Sequence, residues 1–178
     1  MLAATSGTLD TWMITDESVQ GLGARVNKYA NILARPDKLI GLMIDDETTK
    51  IVIGMVRSVK PTQGNQLRVG IEIISHHPKW VQLKRSNNNE AFLNTTVKTD
   101  FQGNFNANKP SSLDIDLFAG IYLPIEAGLS DTSCLILPKI NYRANANYSV
   151  AIAGVAQHVL LGEPIESHDD WVKVAFPF

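Results

Sequence analysis

The sequence predicts an all-β protein, because its apolar residues follow the period of strands and turn-forming residues separate the apolar runs. Residues 66–73 read QLRVGIEI, and four apolar side chains fall on one face: Leu67, Val69, Ile71 and Ile73. Alternation with a period of two is typical of a half-buried strand. A weak helical pattern occurs at residues 26–34, and Pro36 ends it. A fold built from short strands follows.

The first half of the chain contains six strand-like runs. Residues 50–59, KIVIGMVRSV, are rich in β-branched residues, and KPTQGN connects them to residues 66–73. Proline, glycine and asparagine in that connection predict a hairpin. The remaining runs are shorter and lie at residues 12–14, 22–26, 38–44 and 80–83.

A polar break divides the chain into two predicted domains, residues 1–84 and 85–178. The break reads RSNNNE at residues 85–90, and a polar stretch at 98–112 predicts a long loop. Strand-like runs then return at residues 113–123, 134–137, 148–153, 157–161 and 171–176. Short strands between turn signals predict a second small β-barrel or sandwich.

Composition excludes several classes of protein. Hydrophobic residues make up 44% of the 178 residues, which suffices for a packed core. The net charge is -2 without a long charged run, so we expect no nucleic-acid polymer as partner. No apolar run approaches the ~18 residues of a membrane span, and no signal peptide is recognisable. With one cysteine, Cys134, no intrachain disulfide can form, and we expect a cytoplasmic protein without membrane insertion.

The sequence suggests neither an enzyme nor a metal site. It contains no phosphate-binding Walker loop, dinucleotide glycine motif, Cys-x-x-Cys pair or nucleophile elbow. Cys134 lies in an apolar run, which predicts a small buried residue. His76 and His77 are adjacent, and adjacent side chains of an extended chain point to opposite faces. We therefore expect no catalytic residue, no metal and no cofactor.

The most informative motif is DESVQG at residues 16–21, which fits the pattern Asp/Asn-x-Ser-x-x-Gly. It lies between two strand-like runs, about fifty residues before the strand VGIEI at residues 69–73. A turn alone could account for the motif. Asp16 and Ser18 would bond their own backbone, and Gly21 would supply a positive φ.

This combination of motif and strand resembles the PilZ family of cyclic di-GMP receptors over residues 11–84. The resemblance implies a six-stranded antiparallel barrel, with Arg57 on a strand where the family often has arginine. It also implies that Asp16, Ser18 and Gly21 contact cyclic di-GMP. A carboxylate can accept two N–H bonds from guanine, a hydroxyl can bond base or phosphate, and glycine permits close approach.

The chain departs from the family at the Arg-x-x-x-Arg motif that precedes the turn in nucleotide-binding members. No arginine precedes Arg25. Two interpretations stay open: the native chain extends upstream of Met1 and carries the pair, or the domain is degenerate. Without these guanidinium groups we expect the chain to bind the dinucleotide weakly.

The leading hypothesis is thus a cyclic di-GMP-responsive receptor or effector module. One alternative is a degenerate PilZ-like adaptor that binds protein and no nucleotide, and another is an unrelated β-barrel module. The role of the second domain stays open, and a protein partner bound through it is one interpretation.

Overall fold

A computed structural model describes five parts of the chain: residues 11–29, 34–43, 50–86, 117–152 and 154–176. Within these parts the chain forms twelve β-strands and one 3-10 turn, Lys139–Asn141, and it forms no α-helix. The predicted all-β class is confirmed. None of the described segments forms a helix that is long and apolar enough to span a bilayer.

The first sheet contains five strands in the order β1-β2-β5-β4-β3. The strands are β1 Met13–Ser18, β2 Gly21–Asn27, β3 Leu39–Leu42, β4 Val52–Pro61 and β5 Gln66–Ser75. Every pair of neighbours is antiparallel. The predicted hairpin joins β4 to β5, where the Thr62 amide donates to the Gln66 carbonyl oxygen at 3.0 Å and Gly64 has a φ of 72°.

The register between β2 and β5 gives this sheet an apolar inner face. Ala24 lies opposite Val69, and Leu22 lies opposite Ile71. The core on this face consists mainly of buried aliphatic residues from four strands: Leu22, Ala24, Val26, Ile40, Val52, Val56, Val69, Ile71 and Ile73. Leu67 is partly buried against it, so the predicted inward face of residues 66–73 is confirmed.

Seven further strands form the second sheet in the order β10-β9-β6-β7-β8-β12-β11. Their bounds are β6 Lys79–Arg85, β7 Leu117–Leu123, β8 Cys134–Pro138, β9 Ala146–Ile152, β10 Val155–Leu161, β11 Pro164–Ser167 and β12 Trp171–Ala175. Among the largest fully buried side chains here are Tyr148, Leu135 and Leu137. The Tyr148 hydroxyl accepts from the Arg143 amide at 2.7 Å, which satisfies its polar end.

The strand at residues 80–83, expected to complete the first barrel, belongs to the second sheet. Leu83 of β6 lies opposite Val150 of β9, and Gln82 lies opposite Ala151. Val81 and Leu83 are buried on one face of β6, so the predicted alternation of buried and exposed residues is present, but in the second sheet. Period-2 alternation specifies a face but not a partner strand, and the first sheet therefore has five strands and not six.

Contacts divide the chain into two compact units. The first comprises Met1–Pro78 and Tyr122–Cys134, and the second comprises Lys79–Ile121 and Leu135–Phe178. The division falls at Pro78, earlier than the polar break at residues 85–90. The segment Tyr122–Cys134 returns to the first unit from within the second half of the sequence. Such a return has no signature in composition or periodicity.

Some expectations fall on residues outside the described parts. They include the long loop at residues 98–112, the greater part of the break at 85–90 and the first residues of the predicted strand 113–123. Cys134, expected to be a small buried residue, is 2% exposed, and its thiol donates to the Thr132 carbonyl oxygen at 3.5 Å.

The inner face of β5 yields a stability prediction. Ile71→Ala should lower the free energy of unfolding by about 2–5 kcal/mol, because Ile71 is 4% exposed within the core. Val19→Ala is the matched control; at 65% exposure it should change that free energy by no more than about 0.5 kcal/mol. Urea unfolding followed by circular dichroism measures both. Equal effects would mean that this face of β5 is not buried.

Candidate functional site

The motif at residues 16–21 forms a two-residue hairpin between β1 and β2. Asp16 and Ser18 lie on β1, Gly21 begins β2, and only Val19 and Gln20 form the turn. Ser18 Oγ donates to the Gly21 carbonyl oxygen at 3.2 Å, which is the local bond expected of a turn. The three predicted site residues therefore lie together at one end of the sheet.

Gly21 is needed for the close approach of β2 to β5 and not for a positive φ. It is not among the residues with positive φ. A Cβ at Gly21 would lie 2.8 Å from the carbonyl oxygen of Ile71 on β5, a backbone contact that no side chain could tolerate. The positive φ that the turn interpretation assigned to Gly21 is therefore wrong, and the absent side chain instead lets β2 lie against β5.

A row of small residues crosses four strands on the outer face, which is the side of the first sheet opposite the apolar core. Asp16 lies opposite Gly23, Gly23 opposite Gly70, and Gly70 opposite Ser58. A Cβ at Gly23 would lie 1.9 Å from Asp16 Oδ1, and one at Gly70 would lie 2.7 Å from Ser58 Oγ. The two glycines therefore leave the space that the Asp16 and Ser58 side chains occupy. We call these four residues the glycine row.

The glycine row forms part of a concave groove of about 570 Å³ on the outer face. Ligand pockets in proteins commonly measure about 300–1,000 Å³. The groove is lined by residues of β1, β2, β4, β5 and the hairpin: Asp16, Glu17, Ser18, Gln20, Gly21, Leu22, Gly23, Arg57, Ser58, Lys60, Arg68, Gly70, Ile71 and Glu72. All three predicted site residues are among them.

Three cationic side chains, those of Arg57, Lys60 and Arg68, line the groove together with the motif. The strand alternation predicts the position of Arg68, because this residue shares a face of β5 with Gly70 and Glu72. Arg57 lies at an irregularity of β4 between Val56 and Ser58. A bulge of this kind inserts an extra residue and re-aims its side chain. Arg57 consequently forms an ion pair with Glu72.

The ion pairs of the groove are exposed to solvent. Arg68 Nη2 lies 3.4 Å from both carboxylate oxygens of Asp16, and the two side chains are 61% and 50% exposed. Exposed pairs of this type contribute about 0–1 kcal/mol. An incoming anion could therefore take the place of Asp16 on Arg68 at little cost. The Lys60 ammonium group has no side-chain partner within the described part of the chain.

The groove combines the groups that bind a phosphorylated planar ligand. Carboxylates accept from N–H edges, guanidinium groups donate to phosphate, and glycines allow a flat ring to approach the backbone. In the described residues no group of three or more His, Cys, Asp or Glu is placed to hold a metal ion.

Sequence interpretation missed Lys60, Glu72 and Gly23 as groove residues. The sequence does indicate the position of Glu72, because this residue shares the polar face of QLRVGIEI with Arg68. The sequence does not indicate the position of Lys60, because the irregularity near Arg57 breaks the alternation of β4. Gly23 lies two residues beyond the motif, and only the pairing of β1 with β2 reveals that it lies beneath Asp16.

The segment Tyr122–Cys134 supports the hairpin from within the first unit. Gln20 Nε2 donates to the Gly128 carbonyl oxygen at 3.0 Å, and Leu129 packs against the core. This segment therefore holds the turn that precedes Gly21. No local sequence pattern indicates such a long-range contact.

Glu126 fixes the same segment to the end of β5. Its Oε2 accepts from the His76 amide at 2.9 Å, and its Oε1 accepts from the Ser75 hydroxyl and from the His77 amide at 3.2 Å. Burial acts to raise the pKa of Glu126, but the hydrogen bonds from Ser75, His76 and His77 outweigh it. The pKa of Glu126 consequently lies below its ordinary value of 4.5.

The lowered pKa of Glu126 predicts a pH dependence of stability. A carboxyl whose pKa is lower in the folded state stabilises the protein above its unfolded pKa, and that contribution is lost as the pH falls through the folded pKa. Between about pH 5 and 3 the wild type should therefore lose more unfolding free energy than Glu126→Gln.

The control for this comparison is Asp131→Asn, an exposed carboxyl of the same segment, which should follow the wild type. Urea unfolding at a series of pH values measures the difference. If the wild type and Glu126→Gln lose stability in parallel, the carboxylate of Glu126 is not bound as described.

Comparison with known proteins identifies no relative of this chain. No protein-family model matches it, and neither a curated protein nor a solved structure is significantly similar to it. The resemblance to the PilZ family consequently stays a prediction from the motif and the strand at residues 69–73.

Proposed function

We propose that the first unit is a receptor or effector module that binds cyclic di-GMP, a cyclic guanine dinucleotide, in the groove on the outer face. The observation that supports this proposal is the meeting of Asp16, Ser18 and Gly21 with Arg57 and Arg68 around one concavity. The motif contributes acceptors for a base, and β4 and β5 contribute cations for phosphate.

The ion pair between Asp16 and Arg68 suggests how the ligand is received. A phosphate oxygen that binds Arg68 displaces the Asp16 carboxylate, which then accepts N–H bonds from the guanine edge. Because the pair is half-exposed and separated by 3.4 Å, it opposes this exchange only weakly. The exchange uses both partners: Arg68 keeps an anionic partner in the phosphate, and the Asp16 carboxylate accepts hydrogen bonds from the neutral guanine edge.

Charge balance limits the affinity. Asp16, Glu17 and Glu72 line the groove beside Arg57, Lys60 and Arg68, so three acids offset three bases. The groove therefore attracts a dianion less than an uncompensated cluster would. We expect a dissociation constant on the order of 100 µM, equivalent to about -5.5 kcal/mol. An additional arginine pair supplied from upstream would tighten binding to micromolar or better.

The second candidate function is a protein-binding adaptor without nucleotide. The observation that favours it is the exposure of β1, which is an edge strand of the first sheet and whose six residues are all exposed. Met13 and Ile14 on this strand are 55% and 44% exposed. An exposed edge strand can pair with an extended segment of another protein. Absence of nucleotide binding in a calorimetric titration would favour this function.

Removal of the Asp16 carboxylate tests the proposed function. Calorimetry should give a dissociation constant of about 100 µM for the wild type with cyclic di-GMP, and about 0.5 mM or weaker for Asp16→Ala, because about 1–3 kcal/mol of hydrogen bonding to guanine is lost. Asp131→Ala, an exposed carboxyl outside the groove lining, is the matched control and should bind as the wild type does. Equal affinities of the wild type and Asp16→Ala would exclude the motif from the site.

A methyl group at Gly23 tests the position of the ligand independently of charge. In Gly23→Ala the added Cβ would lie 1.9 Å from Asp16 Oδ1, which is closer than two non-bonded atoms can approach, so the carboxylate must move. We expect the variant to fold and to bind cyclic di-GMP about as weakly as Asp16→Ala. Gly162→Ala is the control, because a Cβ there meets nothing within 4 Å. Wild-type affinity of Gly23→Ala would show that the ligand does not lie over Gly23.

A further inference from the structure

Three cationic residues lie directly opposite one another on neighbouring strands of the outer face. Arg25 of β2 lies opposite Arg68 of β5, and Arg68 lies opposite Lys60 of β4. All three are exposed. We call these residues the basic row. It runs parallel to the glycine row, two residues further along each strand, at a separation of about 7 Å.

The basic row is unfavourable for the isolated sheet. Like charges directly opposite on adjacent strands repel each other and destabilise the pairing. Asp16 is the counter-ion of Arg68, while neither Arg25 nor Lys60 has a side-chain partner in the part of the chain that the structure describes. Folding alone does not favour this arrangement, whereas an anion placed over the row would relieve the repulsion.

The row also adjoins the groove. Arg68 and Lys60 are themselves part of the groove lining, and Arg25 extends the same row on β2. An anionic group at the row would therefore be continuous with a ring lying over Gly23 and Gly70. The separation of the two rows is one that a ribose can bridge.

We propose that the basic row is a phosphate subsite, and that it orients a nucleotide with its phosphate towards Lys60 and its base towards Asp16 and Ser18. The orientation rests on the proposed function. The phosphate subsite itself rests on the register and charge of the three strands. The subsite gives this chain a source of phosphate-binding cations that is independent of any upstream arginine pair.

The first experiment uses inorganic pyrophosphate, which has phosphate and no base. Calorimetry at low ionic strength should give saturable binding to the wild-type chain with a dissociation constant on the order of 1 mM. Arg25→Ala and Lys60→Ala should each weaken it about three- to tenfold, and Lys60→Arg should retain it. Lys84→Ala, which removes an exposed strand cation of the second sheet, is the matched control and should leave binding unchanged.

A stability measurement separates loss of charge from loss of fold. Since Lys60 faces Arg68, Lys60→Ala should leave the unfolding midpoint unchanged or raise it slightly. A Lys60→Ala variant that is stable but weakened in pyrophosphate binding supports the subsite. Equal pyrophosphate affinity of the wild type, Arg25→Ala and Lys60→Ala overturns it.

The same variants titrated with cyclic di-GMP distinguish the two proposals. If pyrophosphate binds at the row and cyclic di-GMP does not bind, the phosphate subsite stands and the proposed function fails. If cyclic di-GMP binds and neither Arg25→Ala nor Lys60→Ala changes its affinity, the function stands and the subsite is wrong. If neither compound binds the wild type, both proposals are overturned.

Discussion

The antiparallel register between β2 and β5 is the constraint on which both faces of the first sheet depend. It places Ala24 opposite Val69 on the inner face and, one residue away, Gly23 opposite Gly70 on the outer face. A shift by a single residue would expose the aliphatic core and bury the groove residues, since side chains alternate between faces. Burial of the core therefore also holds the glycine row in position.

The groove follows from this register together with two local features of the strands. Absence of side chains at Gly23 and Gly70 lowers the floor of the groove, and the irregularity at Arg57 brings an additional cation to the same face. The charges of Arg57 and Arg68 beside this floor are compensated by weak, solvent-exposed pairs. Such pairs hold the cations near the groove and still allow them to bind another anion, because exposed pairs contribute little stability.

The sequence contains enough information to predict the fold class and the part of the candidate site that the motif at residues 16–21 forms. Alternation at residues 66–73 correctly predicts the buried face of β5, and Asp16, Ser18 and Gly21 of the motif all line the groove. The alternation of β6 is equally clear, yet it cannot specify which sheet the strand joins. The positions of Lys60 and Glu126 depend on a strand irregularity and on a contact fifty residues away, respectively, and neither leaves a periodic signal.

Amide chemical shifts recorded by nuclear magnetic resonance during a titration with cyclic di-GMP test most directly whether the outer face binds the dinucleotide. Binding in the groove should shift the amide signals of Gly21, Gly23 and Gly70 saturably, because these three residues line it. The signal of Gly154, in the second unit, should not move. Signals of Gly23 and Gly70 that stay unchanged at millimolar ligand would contradict binding at the groove.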